Sequence, residues 1–317
     1  MKRLLTNLLL ATAAFVLALG LSWLLLSLLD IDVSRRIAIA RARLSPATEG
    51  IGIYRQDPRL GWDHIPGSAG RHLREEFDVW YSIDARGHRT TGGGTGPPIY
   101  FLGGSFTFGY GVEDGEHFPA LLQRRFPDFD VANAAVIAWG PTQAYFRLQD
   151  LLASDHDASL FAYGFITHHM QRTFLREDWL SRLDEYGGKR NPYFRLVNGQ
   201  LIFQGLADPG DRPRRNERLG RIEAELTAAL ISEMQRLCDE HGVPFRFLYF
   251  SDAPRFETLP PVVRGAIRAD SIVDIGRAVR EAGAGYNRRG HPGPATHELI
   301  ADVLQPVVEA AVQHPVP

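Results

Sequence analysis

Beyond residue 97 the chain alternates short apolar runs with longer stretches whose apolar residues recur at helical spacing. The runs 99–102, 131–136, 160–166 and 244–250 are rich in β-branched, aromatic and aliphatic residues, the pattern of strands covered on both faces. Stretches at 117–126, 142–154, 216–241, 270–282 and 295–312 carry the period expected of amphipathic helices. Strands spaced by helices imply parallel β-α-β crossovers, hence a three-layer α/β domain over 97–317. An insertion at about 170–215 interrupts the alternation. Within it Phe194-Arg195-Leu196-Val197 and Gln200-Leu201-Ile202-Phe203 flank Asn198-Gly199. That pair tolerates the positive φ angles of a type I′ turn, so it predicts a hairpin.

The other end of the chain has a different pattern. From Leu4 to Leu29 there is no charge, and at 1.5 Å per residue about 20 helical residues cross the hydrocarbon core. A cleaved signal peptide has an apolar region of about 7–15 residues and a small-x-small cleavage site. This run is longer, and no such site precedes Asp30. The expectation is an uncleaved transmembrane anchor over 1–30. Lys2 and Arg3 precede the run, while Arg35, Arg36, Arg41 and Arg43 follow it, so the positive-inside rule does not decide orientation. The short basic N-terminus favours the extracytoplasmic side for the rest of the chain. Residues 31–96 predict a small β-rich extension and linker, with a strand at Trp80-Tyr81-Ser82-Ile83 and a turn at Asp84-Ala85-Arg86-Gly87. The glycine-rich stretch 91–98 is read as that linker. It lacks a following Gly-Lys-Ser/Thr and runs into prolines and a strand, whereas a phosphate cradle opens a helix.

Composition narrows the function classes. Lys+Arg 35 against Asp+Glu 37 gives a formal charge of −2 in 317 residues, without the clustered basic excess that nucleic acid requires. The one cysteine, Cys238, excludes an intrachain disulfide framework and a cysteine zinc cage. No cofactor and no resident metal are expected.

Ligands of open parallel sheets gather beyond the carboxyl ends of the strands. The first strand of the domain runs straight into Gly103-Gly104-Ser105-Phe106-Thr107-Phe108-Gly109. Small residues let the backbone turn tightly and expose the Ser105 hydroxyl. The hydroxyl is then either a nucleophile awaiting a base or a turn serine bonded to local backbone. The segment differs from the Gly-x-Ser-x-Gly elbow, since Thr107 stands at the last glycine position. A base is available near the carboxyl end. In Gly290-His291-Pro292-Gly293-Pro294, Pro294 suits the first turn of a final helix and leaves His291 in the loop before it. His297, inside that helix, reads as structural.

With these residues in hand a family resemblance emerges. Gly-Gly-Ser-Phe-Thr-Phe-Gly-Tyr-Gly-Val at 103–112 resembles the first block of SGNH (GDSL-type) hydrolases, with Gly104 where aspartate is common. Gly140, in Asn133-Ala134-Ala135-Val136-Ile137-Ala138-Trp139-Gly140-Pro141, matches the second block, and His291 in His-Pro matches the fifth. Residues 82–89 look like the lead-in of membrane-anchored members. The resemblance implies a flavodoxin-like fold and ester hydrolysis or O-acyl transfer. Ser105 would attack, His291 would act as general base, and the backbone amides of Ser105 and Gly140 would receive the oxyanion. Two departures stand out. Where the fifth block has an aspartate shortly before its histidine, this chain has Arg288 and Arg289, and a guanidinium cannot accept a hydrogen bond. Either another acceptor serves His291, with Asp252 a candidate, or the pair works as a dyad. Where the third block supplies an oxyanion asparagine, this chain reads Thr167-His168-His169. His168 or Thr167 is the substitute donor to be tested. A shared metal on the two histidines is disfavoured, because adjacent side chains of an extended segment point to opposite faces.

Two functions from different classes remain. One is a membrane-anchored serine esterase or O-acyltransferase acting on an acylated carbohydrate or lipid. The other is a catalytically degraded domain of the same fold that binds a glycan or protein partner in the old cleft.

Overall fold

The computed structural model describes residues 52–155, 157–185, 190–207, 218–251, 255–287 and 290–313, together with 7, 12, 14–18, 20 and 21. Among the described residues no helix is long and apolar enough to cross a membrane; the run 4–29, which carries the anchor expectation, lies largely outside them.

The extension forms two antiparallel hairpins, β1 (Tyr54–Asp57) with β2 (Gly61–His64) and β3 (Ala69–Leu73) with β4 (Asp78–Ser82). After the linker come β5 (Pro98–Gly103), α1 (Ser105–Phe108), α2 (Phe118–Arg125), β6 (Asp130–Asn133) and α3 (Pro141–Ser154). β7 (Leu160–Phe165) leads into a 3₁₀ turn at Thr167–Arg172 and then α4 (Glu177–Glu185). The insertion closes with the expected hairpin, β8 (Asn191–Val197) and β9 (Gln200–Ala207), whose turn residues Asn198 and Gly199 have φ of 51° and 79°. The chain ends with α5 (Arg218–Glu240), β10 (Phe245–Tyr249), α6 (Pro261–Ala266), β11 (Ile272–Asp274), α7 (Ile275–Glu281) and α8 (Pro294–Gln313).

The central sheet has five parallel strands in the order β11-β10-β7-β5-β6. Counted within the sheet this is 2-1-3-4-5, the flavodoxin-like winding, with its switch point between the first and third sheet strands. Alternation along β5 builds both layers. Tyr100 and Leu102 pack with Ala144, Leu148, Leu230 and Met234 of α3 and α5, whereas Ile99 and Phe101 pack with Phe118, Leu122, Ile300 and Leu304 of α2 and α8.

Two details of the sequence reading need correction. The regular strand in the run 131–136 ends at Asn133, although the N–H groups of Ala134 and Val136 still donate to the β5 carbonyls of Phe101 at 2.9 Å and Gly103 at 3.1 Å. Residues 137–139, with Ala138 at φ 71°, then carry the chain to Gly140. Residues 270–282 are not one helix. Ile272-Val273-Asp274 pairs with β10 as a short edge strand, and Asp274 then caps α7 by accepting from the Arg277 N–H at 2.8 Å. The extension is fastened to the α/β domain rather than hung from it. The Trp139 indole N–H donates to the Trp62 carbonyl at 3.0 Å, that of Trp62 donates to the Ile137 carbonyl at 3.2 Å, and Arg147 pairs with Asp63 at 2.6 Å.

Candidate active site

The site lies at the switch point because three chain segments leave the sheet there. β5 delivers Gly104 and Ser105, the loop after β6 delivers Trp139 and Gly140, and the turn after β7 delivers His169 and Arg172. Gly103 and Gly164 are register partners on β5 and β7. Neither has a side chain, so Thr107 settles onto the sheet; a Cβ on Gly164 would stand 2.0 Å from the Thr107 hydroxyl oxygen. Thus Thr107, at the glycine position of the conventional elbow, seats α1 over a glycine gap in the sheet.

Ser105 is 5% exposed, and His291 Nε2 stands 2.8 Å from its Oγ. These two residues are 186 positions apart. The loop carrying His291 is closed by Asn287. Its backbone N–H donates to the His291 carbonyl at 2.8 Å, and its side-chain oxygen accepts from the His291 N–H at 3.1 Å. The Tyr286 hydroxyl donates to the Phe250 carbonyl, fixing the loop to the chain just past β10. The imidazole also lies against two rings from the segment after Ser105, Phe106 and Tyr110, with centroids 5.0 and 4.5 Å away. Aromatic faces stabilise a cation, and an imidazole that takes a proton from serine becomes one. Arg288, Arg289 and Asp252 lie outside the described residues.

Two buried cappers hold α1 from behind. Arg89, fully buried, donates to the carbonyls of Phe108 at 2.7 Å and Val112 at 2.6 Å, and also to Gly109. Asn133 donates to the carbonyls of Thr107 at 3.1 Å and Phe108 at 3.3 Å. The last carbonyls of a helix have no intrahelical partner, and these side chains supply one. In the sequence Arg89 only ends the stretch 82–89, and nothing local marks it as a cap.

The other expected residues are placed as follows. Gly140 opens α3, and its N–H donates to the Gln143 side-chain oxygen at 3.1 Å, the reciprocal half of a capping box. Thr167 uses its hydroxyl on Ser251, 2.9 Å away. His168 is exposed, while His169 is 2% exposed and reaches back toward the nucleophile segment: a Cβ on Gly104 would stand 2.8 Å from His169 Nε2. The segment is a 3₁₀ turn rather than an extended strand, and it turns His169 rather than His168 inward. Arg172 donates to the Trp139 carbonyl at 2.8 Å. Burial, then Arg172 and His168, push the His169 pKa well below its ordinary value. His297 is buried and accepts from the Phe118 N–H at 3.3 Å, the structural role expected of it. Among the described residues no group of three or more His, Cys, Asp or Glu side chains could hold a metal ion.

No protein-family model and no curated protein matches the chain. Similar solved structures include a member of the lipolytic G-D-S-L family from Veillonella parvula, at 11% identity and TM-score 0.41 over 66% of this chain and 97% of that one. TesA is similar at 16% identity and TM-score 0.40, over 68% and 99% of the respective chains. An α/β hydrolase enzyme from the metagenome of Lake Arreo is similar at 14% identity and TM-score 0.43, over 69% and 97%.

Proposed function

We propose that the chain is a membrane-anchored serine ester hydrolase or O-acyltransferase acting on an acylated carbohydrate or lipid on the extracytoplasmic side. The observation that carries the reading is the 2.8 Å approach of His291 Nε2 to Ser105 Oγ at the carboxyl edge of a parallel sheet. A nucleophile within hydrogen-bond reach of a base is the arrangement covalent acyl transfer needs. The uncharged run Leu4–Leu29 supports the anchor.

In the acylation step Ser105 Oγ bonds to the ester carbonyl carbon while its proton passes to His291 Nε2. The carbonyl π pair moves onto oxygen, which the backbone N–H groups of Ser105 and Gly140 receive. Each such donor is worth about 10²–10³ in rate. For Gly140 this requires that Gln143 release or share the amide it now binds. As the tetrahedral adduct collapses, the C–O bond to the leaving alcohol breaks and His291 returns the proton to that oxygen. Water or a sugar hydroxyl then repeats the sequence on the acyl-enzyme, the first giving hydrolysis and the second transfer. The rings of Phe106 and Tyr110 favour the imidazolium form present between the two proton transfers.

The test uses the full chain in detergent with a fluorophosphonate probe and short acyl esters. Intact-mass labelling at Ser105, lost in Ser105→Ala and strongly slowed in His291→Ala, is expected. Ester turnover should vanish in both variants. A folded wild-type chain that neither labels nor turns over esters but retains glycan binding would replace this reading with the binding-domain one.

A further inference from the structure

We infer that His169 is a third oxyanion donor, presenting the Nε2–H of its imidazole to the substrate oxygen beside Ser105, and that Tyr163 is the positioning residue that sets the tautomer. The inference rests on the ester-hydrolysis reading and adds to it a donor that no asparagine supplies.

Geometry comes first. His169 sits in the turn directly after β7, the strand beside β5 at the switch point. Its Nε2 would stand 2.8 Å from a Cβ on Gly104, the residue whose carbonyl carbon bears the Ser105 N–H. Gly104 has φ −103° and ψ −149°, so it is not held in the left-handed region where glycine is favoured. Space explains the glycine. A side chain there would collide with His169 Nε2 and, at 2.9 Å, with the Trp139 carbonyl. Gly104 and His169 therefore form a matched pair: the missing side chain makes room for the imidazole edge beside the nucleophile.

The proton follows from the other end of the ring. His169 Nδ1 lies 3.1 Å from the Tyr163 hydroxyl, and Tyr163 is fully buried on β7. That hydroxyl must either donate to Nδ1 or accept from it. If it accepted, its own O–H would be left without a partner in the interior, which is unfavourable. Donation satisfies it, makes Nδ1 the acceptor, and leaves the single ring proton on Nε2. Burial raises the Tyr163 pKa, keeping the hydroxyl protonated for this bond. Burial together with Arg172 and His168 keeps the imidazole neutral. His169 is thereby a preorganised neutral donor, held on a sheet residue rather than on a loop.

The experiment measures kcat and KM for p-nitrophenyl acetate, and the rate of fluorophosphonate labelling, in wild type, His169→Phe, His169→Gln and Tyr163→Phe. The tautomer of wild-type His169 is read separately by long-range ¹H–¹⁵N correlation. His169→Phe should lower kcat by about 10²-fold with KM nearly unchanged, the loss expected for one oxyanion donor. His169→Gln, whose amide nitrogen can take the place of Nε2, should recover about tenfold of that. Tyr163→Phe should lower kcat with little change in KM and shift the His169 ring nitrogens toward a tautomer mixture. An active wild type with His169→Phe folded and within threefold in kcat overturns the inference alone, as does an Nδ1-protonated His169. A wild type inert to ester and probe overturns the hydrolase reading and this donor role with it.

Discussion

Arg89→Met is the substitution whose cost the structure lets one work out. The guanidinium has no exposed surface and donates to the carbonyls of Phe108, Gly109 and Val112, with Asp114 3.4 Å from its Nε. It also stacks 4.5 Å from the Tyr81 ring and 4.6 Å from the Phe108 ring. Methionine fills much of the volume but donates nothing. The Phe108 carbonyl keeps Asn133 as a partner, so two carbonyls are left bare, each costing about 1–3 kcal/mol. Loss of the cation–π contacts adds about 1 kcal/mol. Relief from burying a charge offsets part of this, leaving a net loss of about 4 kcal/mol, in the range found when one side of a buried charged network is removed. For a chain of 317 residues that corresponds to a fall of about 6 °C in Tm. Urea and thermal unfolding of the full chain would measure it. Because one orphaned carbonyl belongs to Gly109, which ends the helix that begins with Ser105, fluorophosphonate labelling should also slow at temperatures well below the new midpoint. A variant within 1 kcal/mol of wild type and labelled at the wild-type rate would refute the view that Arg89 anchors the nucleophile.

Two further outcomes are expected. Burial, followed by nearby arginines, lowers the pKa of His88 and His297 to about 3 and depresses those of His117 and His169. An unfolded histidine titrates near 6.5, so below that pH the unfolded chain binds protons the folded chain does not. This part of the stability is complete above about pH 6.5 and falls as pH drops, by about 1.4 kcal/mol per pH unit for each such histidine. Urea midpoints that stay flat from pH 7.5 to 5 would contradict it. Gly164→Ala should destabilise by about 1–3 kcal/mol by forcing a methyl onto Thr107. Adding Thr107→Ala should then restore part of the loss in chemical denaturation; strictly additive costs in the double mutant would show that the two residues do not compete for one space.

Much of this architecture could be read directly from residue order. Periodicity alone places the helix that becomes α3 and the strand that becomes β7 to within a residue or two, because their apolar faces are long and unbroken. The Asn198-Gly199 turn is equally local, since its backbone angles depend on the two residues that adopt them. β11 escaped notice because three residues at a sheet edge carry too little pattern to separate from the helix that follows. The end of β6 was misplaced for a related reason. Ala134, Ala135 and Val136 are as buried as strand residues and Ala134 and Val136 still donate to β5, yet the regular strand ends at Asn133 before the chain turns to bring Gly140 into place.

The candidate site divides along the same line. Ser105 and His291 were legible because glycines after a strand and a His-Pro before a helix are local signals of side chains positioned at the sheet's edge. Arg89 and His169 were not, since an arginine becomes a helix cap, and one of two adjacent histidines is turned inward, only through residues distant in the chain. The sequence by itself therefore determined the elements and the two chemical groups, because backbone propensity and apolar period act over a few residues. Strand order, the approach of serine to imidazole and the choice of inward histidine were decided by tertiary packing. Those features arise where separate segments compete for the same buried space, and no single segment carries that information.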